Sequence, residues 1–172
     1  TGYTPVGLDN ITSSGPTTGG SDFFLVKYNS SGTKQWTKMS GTPADPGISS
    51  RDDGYGVTVD SANNIYVTGY TEGGLDGNTN SGYQDIFLTK YYDNGTKQWT
   101  KQLGTSGHES GNGVTVDSLD NIYVTGYTRG GLDGNTISGE VGLFLLKYNS
   151  NGVKQWTKQL GSDQYTQAKG VT

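Results

Sequence analysis

"GVTVDSANNIYVTGYT", residues 56–71, returns as "GVTVDSLDNIYVTGYT" at 113–128, differing only at Ala62/Leu119 and Asn63/Asp120. Each copy has two short runs of β-branched and aromatic residues around a cluster of Asp, Ser and Asn, as in two strands joined by a tight turn. The repetition extends outward. Trp36, Trp99 and Trp156 each sit in "KQWTK", 63 and then 57 residues apart. "TGYT" opens at Thr1, Thr68 and Thr125, and the last residues, 170–172, read "GVT". The repeat is therefore 57 residues long, and the first copy is lengthened by extra residues around 12–20 and 42–53.

In the second copy four runs have strand character: Val57–Asp60, Ile65–Thr71, Ile86–Tyr91 and Lys97–Leu103. Asn94-Gly95, between "KYYD" and "TKQW", is a strong hairpin signal. No ten-residue stretch spaces its apolar residues by three and four, so no α-helix of three turns or more is expected. Leu, Ile, Val and Phe form about 19% of the chain, a low share for a globular core. Twelve Tyr and three Trp offset it with large buried area per residue. Four antiparallel strands per repeat without helix define the fold class as all-β, with β-propeller blades. The units are about 1–55, 56–112 and 113–169, and 170–172 begins a further one. Three blades do not close a ring, so a segment of a larger propeller or array is expected. Alternatively, identical chains complete one another through Val171–Thr172 and Thr1–Thr4, because open sheet edges favour a partner.

Composition excludes several classes. Net charge is −4, and the few Lys and Arg are scattered, so nucleic acid is not an expected partner. Cysteine is absent, which removes disulfide scaffolds and thiolate metal sites. The longest apolar runs, such as Leu143 to Leu146, are too short to span a bilayer. Thr1 is not a natural start, so a leader can precede it.

The stretches "GVTVDSLDNIYVTGYT", "LDGNT", "FLLKYNSNG" and "KQWTKQLG" resemble the SBBP (seven-bladed β-propeller) repeat proteins of bacteria, and the resemblance covers essentially the whole chain. It implies the propeller fold and no particular activity, since the fold hosts many functions. "DNGTKQW" at Asp93 to Trp99 resembles the Asp-box of sialidase propellers but is one residue too long. Arg51 and Arg129 are the only arginines, short of the three such an enzyme needs. No Ser nucleophile, phosphate loop or zinc spacing occurs, so no enzyme is expected.

If strands A to D run outward from the propeller axis, the A–B and C–D turns share one face and the B–C and D–A loops the other. The first kind is short and uniform. The second is long and differs between copies, and such loops carry binding residues on rigid scaffolds. Tyr83, Glu109, Arg129 and Tyr165 are the candidate ligand residues there. His108 lies beside Glu109, in the pattern of a solvated loop histidine or an acid–base pair. The three Trp read as packing between blades or as sugar-stacking platforms. In "GGLDGNTNSGYQDIFL", 73–88, Asp76, Asn78, Asn80 and Asp85 offer alternating oxygens suited to weak calcium binding. The third copy keeps Asp133 and Asn135 but has Ile137 and Gly142 at the other two places, and the first offers Asp9, Asn10 and Asp22. The competing reading is a connector in which Asp and Asn bond their own backbone. The expected function is a non-catalytic extracellular or cell-surface module binding a glycan or protein, with possible calcium. The alternative is a purely architectural repeat without a ligand.

Overall fold

The computed structural model describes residues 1–13, 20–43, 50–162 and 166–172. Among these residues eleven strands form three antiparallel sheets. The first holds β1 (Gly2–Thr4), β2 (Asp22–Tyr28) and β3 (Lys34–Ser40). The second holds β4 (Asp52–Val59), β5 (Ile65–Thr71), β6 (Asp85–Tyr91) and β7 (Lys97–Leu103). The third holds β8 (Glu109–Val116), β9 (Ile122–Thr128), β10 (Val141–Tyr148) and β11 (Lys154–Ser162). Neighbours in sequence are neighbours in each sheet, so every sheet is a meander, as in a propeller blade. The only helical turns among the described residues are 3₁₀ turns at Leu75–Gly77 and Leu132–Gly134.

β5 and β7 match their expected spans, but β4 begins at Asp52, well before Val57. "DDGYG" has the composition of a loop, yet its backbone pairs with β5 through a bulge between Gly54 and Gly56 that leaves Tyr55 unpaired. β8 repeats the device at Gly111–Gly113 and leaves Asn112 unpaired. Pairing with an adjacent strand overrides the low strand preference of glycine, and the bulge re-aims the extra residue.

Side chains meet between sheets. Phe23 and Leu25 of the first blade pack with Val67, Phe87 and Tyr91 of the second, the rings of Phe23 and Phe87 stacking 4.7 Å apart. Tyr66, Ile86 and Leu88 of the second pack with Val114, Val124, Phe144 and Leu146 of the third. A single blade buries one face poorly, so stacking neighbours is what completes each core.

The tryptophans seal these joints. Trp36 lies on Gly95 of the next blade's C–D turn, where a Cβ would fall 3.2 Å from the ring, and its indole N–H donates to the Asp93 carbonyl at 3.2 Å. Trp99 covers Gly152 in the same way, with a Cβ position 2.8 Å from the ring. Both glycines have positive φ, +80° and +74°, so the turn needs glycine twice over, for conformation and for room. Lys27 pairs with Asp93, and Lys90 donates to the Ser150 carbonyl at 3.3 Å. The inter-blade reading of these two tryptophans therefore holds. The innermost strands also repeat their approach: a Cβ on Gly56 would lie 3.2 Å from Gly113, and one on Gly113 would lie 2.9 Å from Gly170. Residues 170–172 thus follow β8 as β8 follows β4, although they form no ladder of their own.

Candidate functional site

The B–C and D–A loops meet over one end of the blades. Gln84 forms a parallel bridge with His108, and Ser21 forms one with Arg51. Tyr83 donates its amide to the Gly107 carbonyl at 3.1 Å, and Arg129 donates its amide to the His108 carbonyl at 3.1 Å. The exposed Tyr83 ring stacks on His108 at 4.9 Å with the planes 7° apart. Three neighbouring loops are thereby brought together at Tyr83, His108 and Arg129.

Glu109 is not part of that surface. It is fully buried, and its carboxylate accepts from the Thr105 amide at 2.6 Å, the Thr105 hydroxyl at 2.8 Å and the Thr128 hydroxyl at 3.0 Å. Asp52, its counterpart one repeat earlier, accepts from the Thr42 amide at 2.7 Å and from the Thr71 hydroxyl. Each acid ties the incoming D–A loop to the end of strand B. A buried carboxylate needs such donors, so these residues hold the frame, with the Glu109 carboxylate turned to Thr105 and Thr128. Burial raises the Asp52 pKa to about 6 despite hydrogen bonds from Thr71 and Thr42. Tyr165 lies outside the described residues.

In the 73–88 stretch the four oxygen-bearing side chains take four different local roles. Asp76 turns to strand D, pairing with Lys97 and accepting from Thr100. The Asn78 amide donates to the Leu75 carbonyl at 2.8 Å, within its own loop. Asn80 donates to the Glu72 carbonyl at 2.7 Å and accepts from the Gly82 amide at 3.2 Å. Asp85 is buried and accepts from the Ser81 amide at 2.9 Å and Gln102 at 3.0 Å, while its Oδ1 meets no donor. No group of three or more His, Cys, Asp or Glu side chains suited to a metal occurs among the described residues.

The Asp76 arrangement recurs in every copy. Asp133 pairs with Lys154 and Thr157, and Asp9 with Lys34 and Thr37. All three aspartates are left-handed, with φ of 52–54°. The Lys and Thr of each "KQWTK" are thus the docking points of the preceding loop. What repeats in the third copy, without the oxygens of Asn80 and Asp85, is this connector.

Deeper in, a cleft of about 350 Å³ opens between the innermost strands. Its wall contains Tyr70 of β5 and Tyr127 of β9, the third residues of two "TGYT" units. It also contains the two bulge residues, Tyr55 and Asn112, with Ser110 beside them. Gln167 and Lys169 close it. The Tyr55 and Tyr70 rings lie 5.9 Å apart. Behind them the buried Asp53 accepts from the Tyr70 hydroxyl at 2.9 Å, the Ser21 hydroxyl at 2.6 Å and the Tyr55 hydroxyl at 3.4 Å. Desolvation first, then the Asp53 charge, pushes the Tyr55 pKa up to about 12 and raises that of Tyr70 further. Both phenols stay protonated donors at any physiological pH.

A profile of the SBBP "Beta-propeller repeat" family matches residues 35–76 and again 98–133. Two stretches of the chain are thus SBBP β-propeller repeats by sequence. Each matched stretch runs from strand D of one blade, through the D–A loop and strands A and B, to the left-handed aspartate of the following loop. A relative by sequence is an uncharacterized WD repeat-containing protein of Acanthamoeba polyphaga mimivirus, 28% identical over 186 residues. The alignment covers 87% of this chain but only 13% of that protein. The SBBP frame accounts for the repeated loop aspartates, the buried acids and the tryptophans. Reasoning from loop length missed that cleft because most of its lining residues, Tyr55, Tyr70, Ser110, Asn112 and Tyr127, belong to strands. The available signal was "TGYT" with "DGYG" and "GNG" upstream, where strand positions that should alternate are broken by glycines.

Proposed function

We propose that this repeat segment is a non-catalytic module displayed outside the cell, binding a glycan or protein ligand through its long-loop end. The observation that carries the reading is the meeting of Tyr83, His108 and Arg129, contributed by three successive loops on one rigid frame. An exposed, pre-stacked aromatic next to an arginine has the chemistry of a recognition surface, since both residue types are enriched where partners dock. In support of a non-catalytic role, the nearby acid Glu109 is fully consumed by Thr105 and Thr128. A glycan array and a cell-surface binding assay on the purified chain test the proposal, with Tyr83→Ala and Arg129→Ala expected to weaken the binding that the loop end carries. Signal in neither assay overturns it. Accessibility of the protein to protease added to intact expressing cells tests the compartment.

A second reading, of an architectural repeat completed by further blades or by identical chains, has its own support. Gly32 in the first blade's C–D turn has open space where Gly95 and Gly152 have a tryptophan. Trp156 rests on Tyr123 and covers no such glycine among the described residues. Concentration-dependent assembly that is lost in Trp156→Ala would favour this reading.

A further inference from the structure

The two complete inner strands, "DDGYGVTV" (52–59) and "ESGNGVTV" (109–116), keep both glycines and the Val-Thr-Val end. They differ at Asp52/Glu109, Asp53/Ser110 and Tyr55/Asn112. The first pair is conservative and does the same work in both blades. The other two change chemistry entirely, and so do the next repeat's Gln167 and Lys169. Residues that only pack should not change this way, because each faces an equivalent neighbour; the tryptophan of "KQWTK" is kept in all three copies. The changed positions are the ones that line the central cleft, together with the unchanged Tyr70 and Tyr127.

We propose that this cleft is a saccharide-binding subsite, an inference that rests on reading the chain as a binding module. Its volume of about 350 Å³ lies at the small end for ligand pockets, suited to one or two sugar rings. Tyrosine faces supply a stacking surface. The Tyr55 and Tyr70 hydroxyl oxygens, whose protons go to Asp53, can accept, and the Asn112 amide, bonded to the Ala168 carbonyl at 2.8 Å, keeps a second hydrogen to donate. Among the described residues no aliphatic side chain lines the cleft, so it offers no anchor pocket for a peptide side chain. Among the described residues the lining has one cation, Lys169, and no carboxylate; Asp53 lies behind and is occupied with Tyr70, Tyr55 and Ser21. That leaves room for neutral sugars and for uronic acids, and argues against a polyphosphate. Because Tyr55 and Asn112 project from bulges in paired strands, the subsite is pre-organised and needs no loop closure.

The test is affinity electrophoresis of the whole chain through gels holding laminarin, galactomannan or polygalacturonate, the last separating uronic from neutral recognition. At least one gel should retard the protein. Tyr55→Ala should weaken that retardation about tenfold or more, and Tyr55→Phe, which keeps the ring, by less than about threefold. Circular dichroism melting verifies that the variants are folded. A second measurement needs no variant: with ring-labelled tyrosine, the retained polysaccharide, supplied as oligosaccharide, should shift the Tyr55 and Tyr70 resonances and leave Tyr83 unmoved. Migration unaffected by all three polysaccharides overturns the proposal, as does Tyr55→Ala behaving as wild type in the retarding gel. Shifts at Tyr83 alone, with retardation lost in Tyr83→Ala, overturn the cleft assignment and leave the loop-end binding reading standing.

Discussion

Replacing Asp76 and Asp133 by alanine, one at a time, separates a calcium site from a structural connector. Each aspartate pairs with a lysine of strand D, and the side chains in both pairs are roughly a third exposed. Exposed pairs of this kind contribute about 0.5 kcal/mol. The threonine hydrogen bond adds about 1 kcal/mol. Alanine at φ near 53° adds about 1 kcal/mol of left-handed strain that aspartate tolerates better. The sum is about 2.5 kcal/mol for either substitution, or a melting-point drop of about 5–10 °C in a chain of this size. The corresponding asparagine variants keep the threonine contact and the turn, and should lose under about 1 kcal/mol. In a connector the two sites are equivalent, and calcium is irrelevant to both. A weak calcium loop centred on Asp76 would instead gain about 1–3 kcal/mol at about 10 mM calcium. It would gain nothing at Asp133, whose loop lacks the other oxygens. Differential scanning calorimetry of wild type and both variants, with and without calcium, makes the comparison. A wild-type melting point that rises with calcium, lost in Asp76→Ala but retained in Asp133→Ala, refutes the connector argument.

Other outcomes follow from the same geometry. Asp52, with its folded-state pKa raised by burial to about 6 against an unfolded value of 3.8, holds its proton more tightly when folded. Its contribution is therefore complete below pH 4 and is lost as pH rises through 6. Asp52→Asn should flatten the stability profile across that window, measured by urea unfolding from pH 4 to 7, and an unchanged profile would contradict the assignment. Gly126→Ala should destabilise by more than about 2 kcal/mol, because a Cβ there collides with the Ser110 carbonyl oxygen in the paired strand. Urea unfolding within about 0.5 kcal/mol of wild type would show that the approach of β8 and β9 is looser than described. Trp99→Ala opens the second joint above Gly152 and should cost about 2–4 kcal/mol by the same method. Trp156→Ala should cost less than half as much in isolated chains, since Trp156 covers no following turn among the described residues.

The blade count, the meander and the division into uniform and variable ends were legible in the sequence. They depend on local chemistry: alternation along strands, Asn-Gly and Asp-rich turns, and a 57-residue period that repeats them. The joints of Trp36 and Trp99 were readable for the same reason, since a residue kept at one phase meets an equivalent turn in the blade that follows. The role of an individual polar side chain was not readable. Asp76, Glu109 and Tyr55 all sit in stretches rich in glycine and polar residues. Yet one reaches a lysine on the far side of its blade, one is buried under two threonines, and one is turned by a bulge into the central cleft. Sequence spacing specifies which residues share a strand face. Which partner a loop oxygen meets depends on residues about 20 positions away brought close by sheet pairing, and on register shifts that move a side chain from one face to another. Those contacts form only when strands pair within a blade and blades stack on one another, so only the tertiary structure decides between ligand, connector and frame.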